Sequence, residues 1–340
     1  MKWQELAWGS RVLFRRYKAM CFLKENVSYL IDAGEYDRSL RLIYNFVERI
    51  FTDPLCTSQV FGSKDLDELC QRIGNRNLAA VKKINARGMI SRKKRPVFVY
   101  LVTKLQKSGG HTRIIKDLIK AQKSGKNVIL STEIEGTSDA DFTSELDEVQ
   151  SEIILEKAPK TNYLERLAWL QNRLIELAPQ KVYLLNHHQD SVAVAAIQPE
   201  MGLDAYFYHH GDHHLCLGVY LSHLKHIDPH PMGYYNCRYE LGIQNMYVPL
   251  TIEDQGVRPT NWSFQNDYRL TTCTAARANK IEIPYFVSYL DIVPQILKAT
   301  GGRHIHIGHL SLWARYRIHR GLKRNRIQPE RFVYIPWVPS

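Results

Sequence analysis

Between Pro96 and His214 the sequence alternates short apolar runs with helical segments, and this alternation constrains the fold more than any other feature. The run PVFVYLVTKL is rich in β-branched and aromatic residues, as in a strand buried on both faces. A segment with helical spacing, KSGGHTRIIKDLIKAQKSG, separates it from a second run, NVILSTEI. The runs KVYLLNHH and DAYFYHH follow, each separated from the preceding run by a helical stretch. The order predicts a parallel, doubly wound sheet.

The sequence before residue 90 has a different pattern. Apolar residues recur there at intervals of three and four, which predicts a small helical bundle with a turn at Gly34. After Asp267, the runs DYRLTTCT, RHIHIGHL and RFVYIPWV indicate a second α/β unit. We therefore predict a helical domain over 1–90, a Rossmann-like domain over 91–265 and the start of a second Rossmann-like domain over 266–340. We expect the second one to be incomplete and the native chain to continue past Ser340.

Composition limits the classes of partner. The 340 residues carry a net charge of +12, which favours a phosphorylated or polyanionic ligand, or an anionic membrane surface. The basic run SRKKR has no interleaved aromatic residues, so nucleic acid is not expected. Six scattered cysteines without a CxxC pair indicate a reducing compartment, and no 18-residue apolar run occurs. We expect a cytoplasmic protein, with peripheral binding to the inner face of the membrane as an alternative.

Polar residues stand at the end of three strand-like runs. Parallel sheets bind ligands at the carboxyl ends of their strands, so these residues are expected to line one cleft. The candidate substrate-binding residues are Gly109, Gly110, His111, His187, His188 and His209.

The pair Gly109-Gly110 lies between a strand and a helix. Exposed backbone N–H groups and the helix dipole attract anions at such a position. The pair belongs neither to a G-x-G-x-x-G fingerprint nor to a P-loop. It is either a tight turn without a ligand or a contact for an anion or sugar.

The loop YFYHHGDHHLCLG holds four histidines and one aspartate. Neighbouring residues of an extended strand point to opposite faces, so His209 and His210 cannot both turn inward, which weakens the case for a metal cage. Hydrogen bonding to the backbone is a second interpretation. We favour proton transfer or substrate binding, because the pKa of an unperturbed imidazole lies near neutrality and Asp212 can fix the tautomer of a neighbouring ring.

In the second unit, cationic and glycine residues follow two of the strand-like runs. Arg277 and Lys280 together suit a diphosphate, although two surface cations are the plainer interpretation. Gly308 and His309 end the run RHIHIGHL, where a nucleotide can rest against the backbone. These four residues are the candidates for binding a diphosphate or a nucleotide.

Together these stretches resemble the GT-B glycosyltransferases, which combine two Rossmann-like domains. The resemblance is strongest to bacterial glycosyltransferases whose first domain carries a His-Ala-Asp-His loop followed by an apolar run and Leu-Gly. Here His210-Gly211-Asp212-His213 and Leu217-Gly218 match that form, while Gly211 replaces the alanine and Cys216 an aromatic residue. The resemblance covers about residues 96–340.

The resemblance implies transfer of a sugar from a nucleotide sugar to a hydroxyl of a glycan, a lipid-linked glycan or a protein. It implies no cofactor beyond the donor and no metal, with Arg277 and Lys280 offsetting charge on the departing diphosphate. If the reaction inverts the anomeric configuration, the resemblance implies that His210 or His213, oriented by Asp212, is the catalytic base that takes the proton of the acceptor. If the reaction retains the configuration, these residues are expected to hold the sugars. Two rival functions stay open: a metal-dependent hydrolase that uses the histidine clusters, and a non-enzymatic scaffold that uses the helices and the basic surface.

Overall fold

The computed structural model divides the chain into two compact units, residues 1–251 and residues 252–340. The described residues are 20–52, 60–85, 95–105, 110–122, 124–138, 152–211, 214–250, 256, 270–276, 278–282 and 288–336. Most of the SRKKR run falls outside these ranges. Among the helices that they contain, none is long and apolar enough to cross a membrane.

The first unit contains seven α-helices among its described residues, and the first three of them correspond to the helical bundle predicted from the apolar spacing. The helices are α1 (residues 20–32), α2 (Tyr36–Thr52), α3 (Lys64–Asn85), α4 (Gly110–Ala121), α5 (Tyr163–Leu177), α6 (Ser191–Ala196) and α7 (Pro231–Tyr235). Gly34 forms the turn between α1 and α2 with a φ of 81°, a conformation that costs glycine little. Leu40, Ile43 and Val47 lie on one face of α2 and are fully buried. The predicted periodicity thus marks the face of α2 that packs inward.

The helices α2 and α3 pack on α5 and α6. In α3, a Cβ atom at Gly74 would lie 1.9 Å from the carbonyl oxygen of Ala195 in α6, so the two backbones touch. The side chain of Gln171 in α5 donates to the carbonyl of Gly74 at 2.9 Å and accepts from Asn77 at 2.8 Å. Side chains of these helices share one hydrophobic core with the sheet.

The first unit contains a seven-stranded parallel sheet. Its strands are β1 (Val97–Val102), β2 (Lys126–Ser131), β3 (Glu152–Lys157), β4 (Lys181–Leu185), β5 (Ala205–Tyr208), β6 (Lys225–Asp228) and β7 (Asn245–Tyr247). Their spatial order is β3-β2-β1-β4-β5-β6-β7, so the winding direction reverses between β1 and β4. The predicted doubly wound sheet is confirmed, while β3, β6 and β7 were not predicted.

The two faces of this sheet are both covered. Val97, Val99 and Leu101 of β1 enter the core that includes the N-terminal helices, whereas Phe98 and Tyr100 face a second core built with α4. Every residue of β1 is buried, which explains why this strand reads as a continuous apolar run.

The second unit is a smaller α/β structure. Its parallel strands are β8 (Thr271–Ala275), β9 (Arg303–Ile307) and β10 (Phe332–Ile335), in the order β10-β9-β8, and its helices are α8 (Ala278–Ile281), α9 (Tyr289–Thr300) and α10 (Leu312–Arg324). Leucine and branched residues of α9 and α10 form its core. Each unit thus contains a parallel sheet with helices, and further helices precede the first sheet, which confirms the predicted α/β class with two parallel-sheet units. The domain boundaries near residues 90 and 265 stay predictions.

Candidate functional site

The carboxyl ends of three neighbouring strands bring the first site together. The strand β4 pairs with β1 on one side and with β5 on the other, so the residues that follow these strands meet at one edge. The reversal of winding between β1 and β4 opens a crevice there, the usual place for a ligand in such sheets. The histidines that the sequence placed after different strands therefore come close together.

Four imidazoles form a chain along this edge. The ring centroid of His111 lies 4.9 Å from that of His187 and 4.7 Å from that of His210. The ring of His230, which follows β6, lies 6.0 Å from His210. We call His111, His187, His210 and His230 the histidine row; the first three were predicted from the sequence as site residues and His230 was not.

His187 has a carboxylate partner. Its Nδ1 atom lies 2.6 Å from Oε2 of Glu135, and Nζ of Lys104 lies 3.6 Å from the same oxygen. The backbone N–H of His187 donates to Oγ1 of Thr103 at 2.9 Å, which fixes the residue from the other side. Both side chains of the pair are mostly buried, with 25% of His187 and 13% of Glu135 exposed. An imidazole held by a carboxylate in this way is suited to accept a proton at its other nitrogen.

Asp190 connects the ends of several strands through hydrogen bonds. Its Oδ2 atom accepts hydrogen bonds from Thr103 at 2.6 Å and from Thr132 at 2.7 Å, while Oδ1 caps α6 through the N–H of Ala193. Burial raises the pKa of Asp190, and these donors oppose that shift. The residues that follow β1, β2 and β4 are thereby held in one network.

The helix α4 begins against the histidine row. A Cβ atom at Gly110 would lie 2.5 Å from Nε2 of His210, so only glycine lets the helix start so close to that ring. Burial, and then the nearby His187 and His210, lower the pKa of His111 well below its usual range. His111 is therefore neutral at pH 7, while the N-terminus of α4 adds a partial positive charge that favours an anion.

His188 and His214 form a separate group on the helical side of the loop. Their rings lie 4.6 Å and 4.9 Å from the ring of Phe51 in α2. A Cβ atom at Gly211 would lie 2.3 Å from Nε2 of His188, so the glycine in place of alanine gives this imidazole its room. The ring of His188 thus packs against Phe51 of α2 and does not form part of the histidine row.

His209 also lies apart from the row. Its side chain is completely buried, and its Nδ1 atom lies 2.9 Å from Oδ1 of Asp228 at the end of β6. His209 and His210 therefore diverge, as expected for neighbouring residues at the end of a strand. A substrate in the crevice beside His210 would not reach the ring of His209.

Several candidate residues lie outside the described part of the chain. These are Gly109, Asp212, His213 and Arg277, together with the side chain of Lys280 in α8. Gly308 follows β9 with a φ of 123°, and a Cβ atom there would lie 2.2 Å from the carbonyl oxygen of Ala276, so its backbone position demands glycine. His309 is exposed. The donor-binding roles of these residues stay predictions.

Glu135 and Lys104 are the main residues of the site that were not predicted from the sequence. Neither belongs to a motif, because Lys104 follows β1 and Glu135 follows β2 outside any regular element. The signal that was available is positional: both come within four residues of the end of a buried strand-like run.

The chain is similar in structure to several solved enzymes. An O-GlcNAc transferase mutant from Thermobaculum terrenum is 12% identical with a TM-score of 0.48, and the match covers 94% of this chain and 61% of that one. A glycosyltransferase from Rickettsia africae is 11% identical with a TM-score of 0.48, covering 72% of this chain and 69% of that one. A putative UDP-N-acetylglucosamine 2-epimerase from Listeria monocytogenes is 14% identical with a TM-score of 0.41, covering 72% and 70%.

These similarities concern the fold alone, because the identities and TM-scores are low. The chain spans about three fifths of the O-GlcNAc transferase chain that it matches. Neither a protein-family model nor a curated protein matches the sequence.

Proposed function

We propose that this protein is a glycosyltransferase that moves a sugar from a nucleotide sugar to a hydroxyl group of an acceptor. The observation that carries the proposal is the His187–Glu135 pair, 2.6 Å apart at the crevice where the winding of the parallel sheet reverses. A carboxylate-oriented imidazole at a ligand crevice supports proton transfer to or from a bound substrate. The acceptor is a glycan, a lipid-linked glycan or a protein.

In this mechanism a histidine removes the proton of the acceptor hydroxyl. With Nδ1 of His187 donating to Glu135, Nε2 is the atom that accepts the proton. The acceptor oxygen then forms a bond to the anomeric carbon as the bond from that carbon to the donor diphosphate breaks. The nucleoside diphosphate leaves with its electron pair, and the anomeric configuration inverts.

His210 is the alternative base. It follows from the resemblance to the His-Ala-Asp-His loop, in which Asp212 would orient the ring and His213 would be the other candidate. The rings of His210 and His187 both pack against the ring of His111, whose low pKa keeps a neutral imidazole between them. Substituting His187 and His210 one at a time distinguishes these two candidates for the base.

The donor is proposed to lie against the second unit. Arg277 and Lys280 would bind its diphosphate, and Gly308 and His309 would contact its nucleotide, which requires neither a metal nor another cofactor in the transfer step. The net charge of +12 supports a negatively charged donor. Contact with an anionic membrane is proposed only for a lipid-linked acceptor.

The experiment is a thermal-shift screen of the full chain with UDP-, GDP- and other nucleotide sugars, followed by an assay for released nucleoside diphosphate. A sugar that raises the melting temperature of the wild type and is consumed faster with an acceptor present supports transfer. His319, exposed on α10, provides a control: His319→Ala should bind and turn over the donor like the wild type. A screen in which no nucleotide sugar stabilises the protein would reject the proposal.

The hydrolase alternative predicts a different product. Donor consumption independent of any acceptor, together with free sugar as the product, would favour hydrolysis over transfer.

A further inference from the structure

Four residues with side chains able to bind a metal converge inside the first unit, apart from the histidine row. They are His209 after β5, His226 and Asp228 in β6, and Cys237 in the π-helical segment Asn236–Glu240 that follows α7. All four are buried, and one donor atom of each lies within 4.8 Å of the others. They are the one group of this kind among the described residues.

The distances within the group leave little room for anything but a small ion. Oδ1 of Asp228 lies 2.9 Å from Nδ1 of His209, and Oδ2 of Asp228 lies 3.2 Å from Nε2 of His226. The thiol of Cys237 lies 3.4 Å from Nδ1 of His209. The donor atoms come from two imidazoles, one carboxylate and one sulfur, a ligand set that Zn²⁺ accepts.

A hydrogen bond between His209 and Asp228 accounts for only part of this arrangement. Nε2 of His226 is buried and lies 3.2 Å from Oδ2 of Asp228, so one carboxylate faces both imidazoles. The side chain of His226 is only 4% exposed and that of Asp228 is fully buried, which keeps solvent away from these atoms. A buried carboxylate that faces two imidazole nitrogens, with a thiol beside them, offers a complete set of ligand types for a cation.

The surroundings orient the ligands as the outer shell of a metal site does. The backbone of Val219 hydrogen-bonds the His226 ring, and Nδ2 of Asn245 donates to Oδ2 of Asp228 at 2.5 Å. Asn245 is itself fixed, because Nε of Arg238 donates to its Oδ1 at 3.0 Å and its Nδ2 also donates to the carbonyl of Tyr234 at 3.0 Å. Hydrogen bonds of this kind set the tautomer and direction of metal ligands.

We propose that His209, His226, Asp228 and Cys237 bind one Zn²⁺ ion in a closed, tetrahedral structural site. Ligand bonds of about 2.0–2.3 Å place neighbouring donor atoms of a zinc tetrahedron roughly 3.3–3.7 Å apart. The separations of 2.9, 3.2 and 3.4 Å lie within about half an ångström of that range, and the widest separation in the group, up to 4.8 Å, has to close by about 1 Å. Binding takes up the ion as the thiol of Cys237 gives its proton to solvent. The ion would fasten the ends of β5 and β6 to the segment that follows α7.

The inference is independent of sugar transfer, because the site has four protein ligands and no open position for a substrate. It concerns a different place from the histidine row, for which no metal is proposed. A measurement of zinc content therefore tests the metal site, and a measurement of nucleotide-sugar binding tests the proposed transferase function, each independently of the other.

Metal analysis of the full chain, expressed with added zinc and desalted, tests the site. The wild type should retain about one zinc ion per chain. Cys237→Ala should reduce zinc content at least about tenfold, whereas Cys70→Ala, which removes another fully buried thiol, should not. Asn245→Ala should keep the ligands but weaken affinity by about tenfold or more.

A second measurement covers the case in which Cys237→Ala does not fold. Wild-type protein stripped by chelator and reloaded with Co²⁺ should show the intense visible bands of tetrahedral cobalt and a thiolate-to-cobalt charge-transfer band. A wild type with neither retained zinc nor these bands would overturn the proposal. Full zinc retention in folded Cys237→Ala would overturn it as well.

Discussion

Gly110, the first residue of α4, packs directly against the imidazole of His210: a Cβ atom at position 110 would lie 2.5 Å from Nε2 of that ring. Gly110 was predicted to contact an anion or a sugar, and the structure gives it a further property. It sets how closely the helix N-terminus approaches a candidate catalytic side chain.

Gly110→Ala should displace His210 while preserving the fold. The new methyl group meets the end of a side chain that can rotate, so we expect the free energy of unfolding to change by less than about 1 kcal/mol. Turnover should fall as far as in His210→Ala, and the double variant should be no worse than His210→Ala alone. The Cε1–H resonance of His210 in NMR spectra should shift in Gly110→Ala, while that of His319 stays in place. Unchanged turnover and an unchanged His210 resonance would contradict this prediction.

The His187–Glu135 pair should control the proton-transfer step. His187→Ala should lower kcat by about a hundredfold to ten-thousandfold with little change in donor affinity, because a general base contributes that much to a rate. Glu135→Gln, which keeps the shape but not the charge, should lower kcat by at least about tenfold. The measurement is steady-state turnover together with direct donor binding. A greater loss in His210→Ala than in His187→Ala would instead assign the base to His210.

Asp67 should make the protein less stable as pH rises. Its buried carboxylate accepts N–H hydrogen bonds from Gly218 at 2.7 Å and Tyr220 at 2.8 Å, yet burial raises its pKa to about 7. An unfolded carboxyl titrates near pH 4, so between about pH 4 and 7 the folded state binds more protons than the unfolded state. The contribution to stability is complete below that window and is lost as pH rises through it, at up to about 1.4 kcal/mol per pH unit.

Urea unfolding at pH 5, 6 and 7 tests this dependence. Asp67→Asn should flatten the fall in unfolding free energy across these values, even though it disturbs one of the two hydrogen bonds. Asp65→Asn, on the half-exposed side of the same helix, should leave the slope as in the wild type. Equal slopes in the wild type and Asp67→Asn would show that Asp67 is already ionised at pH 5.

Gly74→Ala should destabilise the first unit. A Cβ atom there would lie 1.9 Å from a backbone oxygen of α6, which cannot move without separating α3 from α6. We expect a loss of roughly 1–3 kcal/mol or more in the free energy of unfolding, despite the better helix propensity of alanine. Ala79→Ser, exposed on the same helix, should change it by no more than about 0.5 kcal/mol. Wild-type stability in Gly74→Ala would mean that the helices pack less closely.

Strands buried on both faces were predictable, and short or peripheral ones were not. All residues of β1 are buried, so its apolar run is uninterrupted, whereas β3 lies at the sheet edge and carries charged residues at both ends. The strand β6 has four residues, as many as the predicted β5, but its sequence KHID contains a single aliphatic residue, whereas AYFY of β5 is apolar and aromatic. The strand β7 has only three residues, too few for a pattern to emerge. Predictability therefore followed burial, apolar composition and length.

The sequence by itself determined that histidines follow several strands of one parallel sheet, and that they lie at the same edge, because parallel strands expose their carboxyl ends there. It also determined that His209 and His210 diverge, because side chains alternate along a strand. Only the tertiary structure decided what each one meets: His210 faces His111 and the start of α4, while His209 faces Asp228 and Cys237. Those partners lie far away along the chain, and the order of strands in the sheet, which no local pattern encodes, brings them into contact.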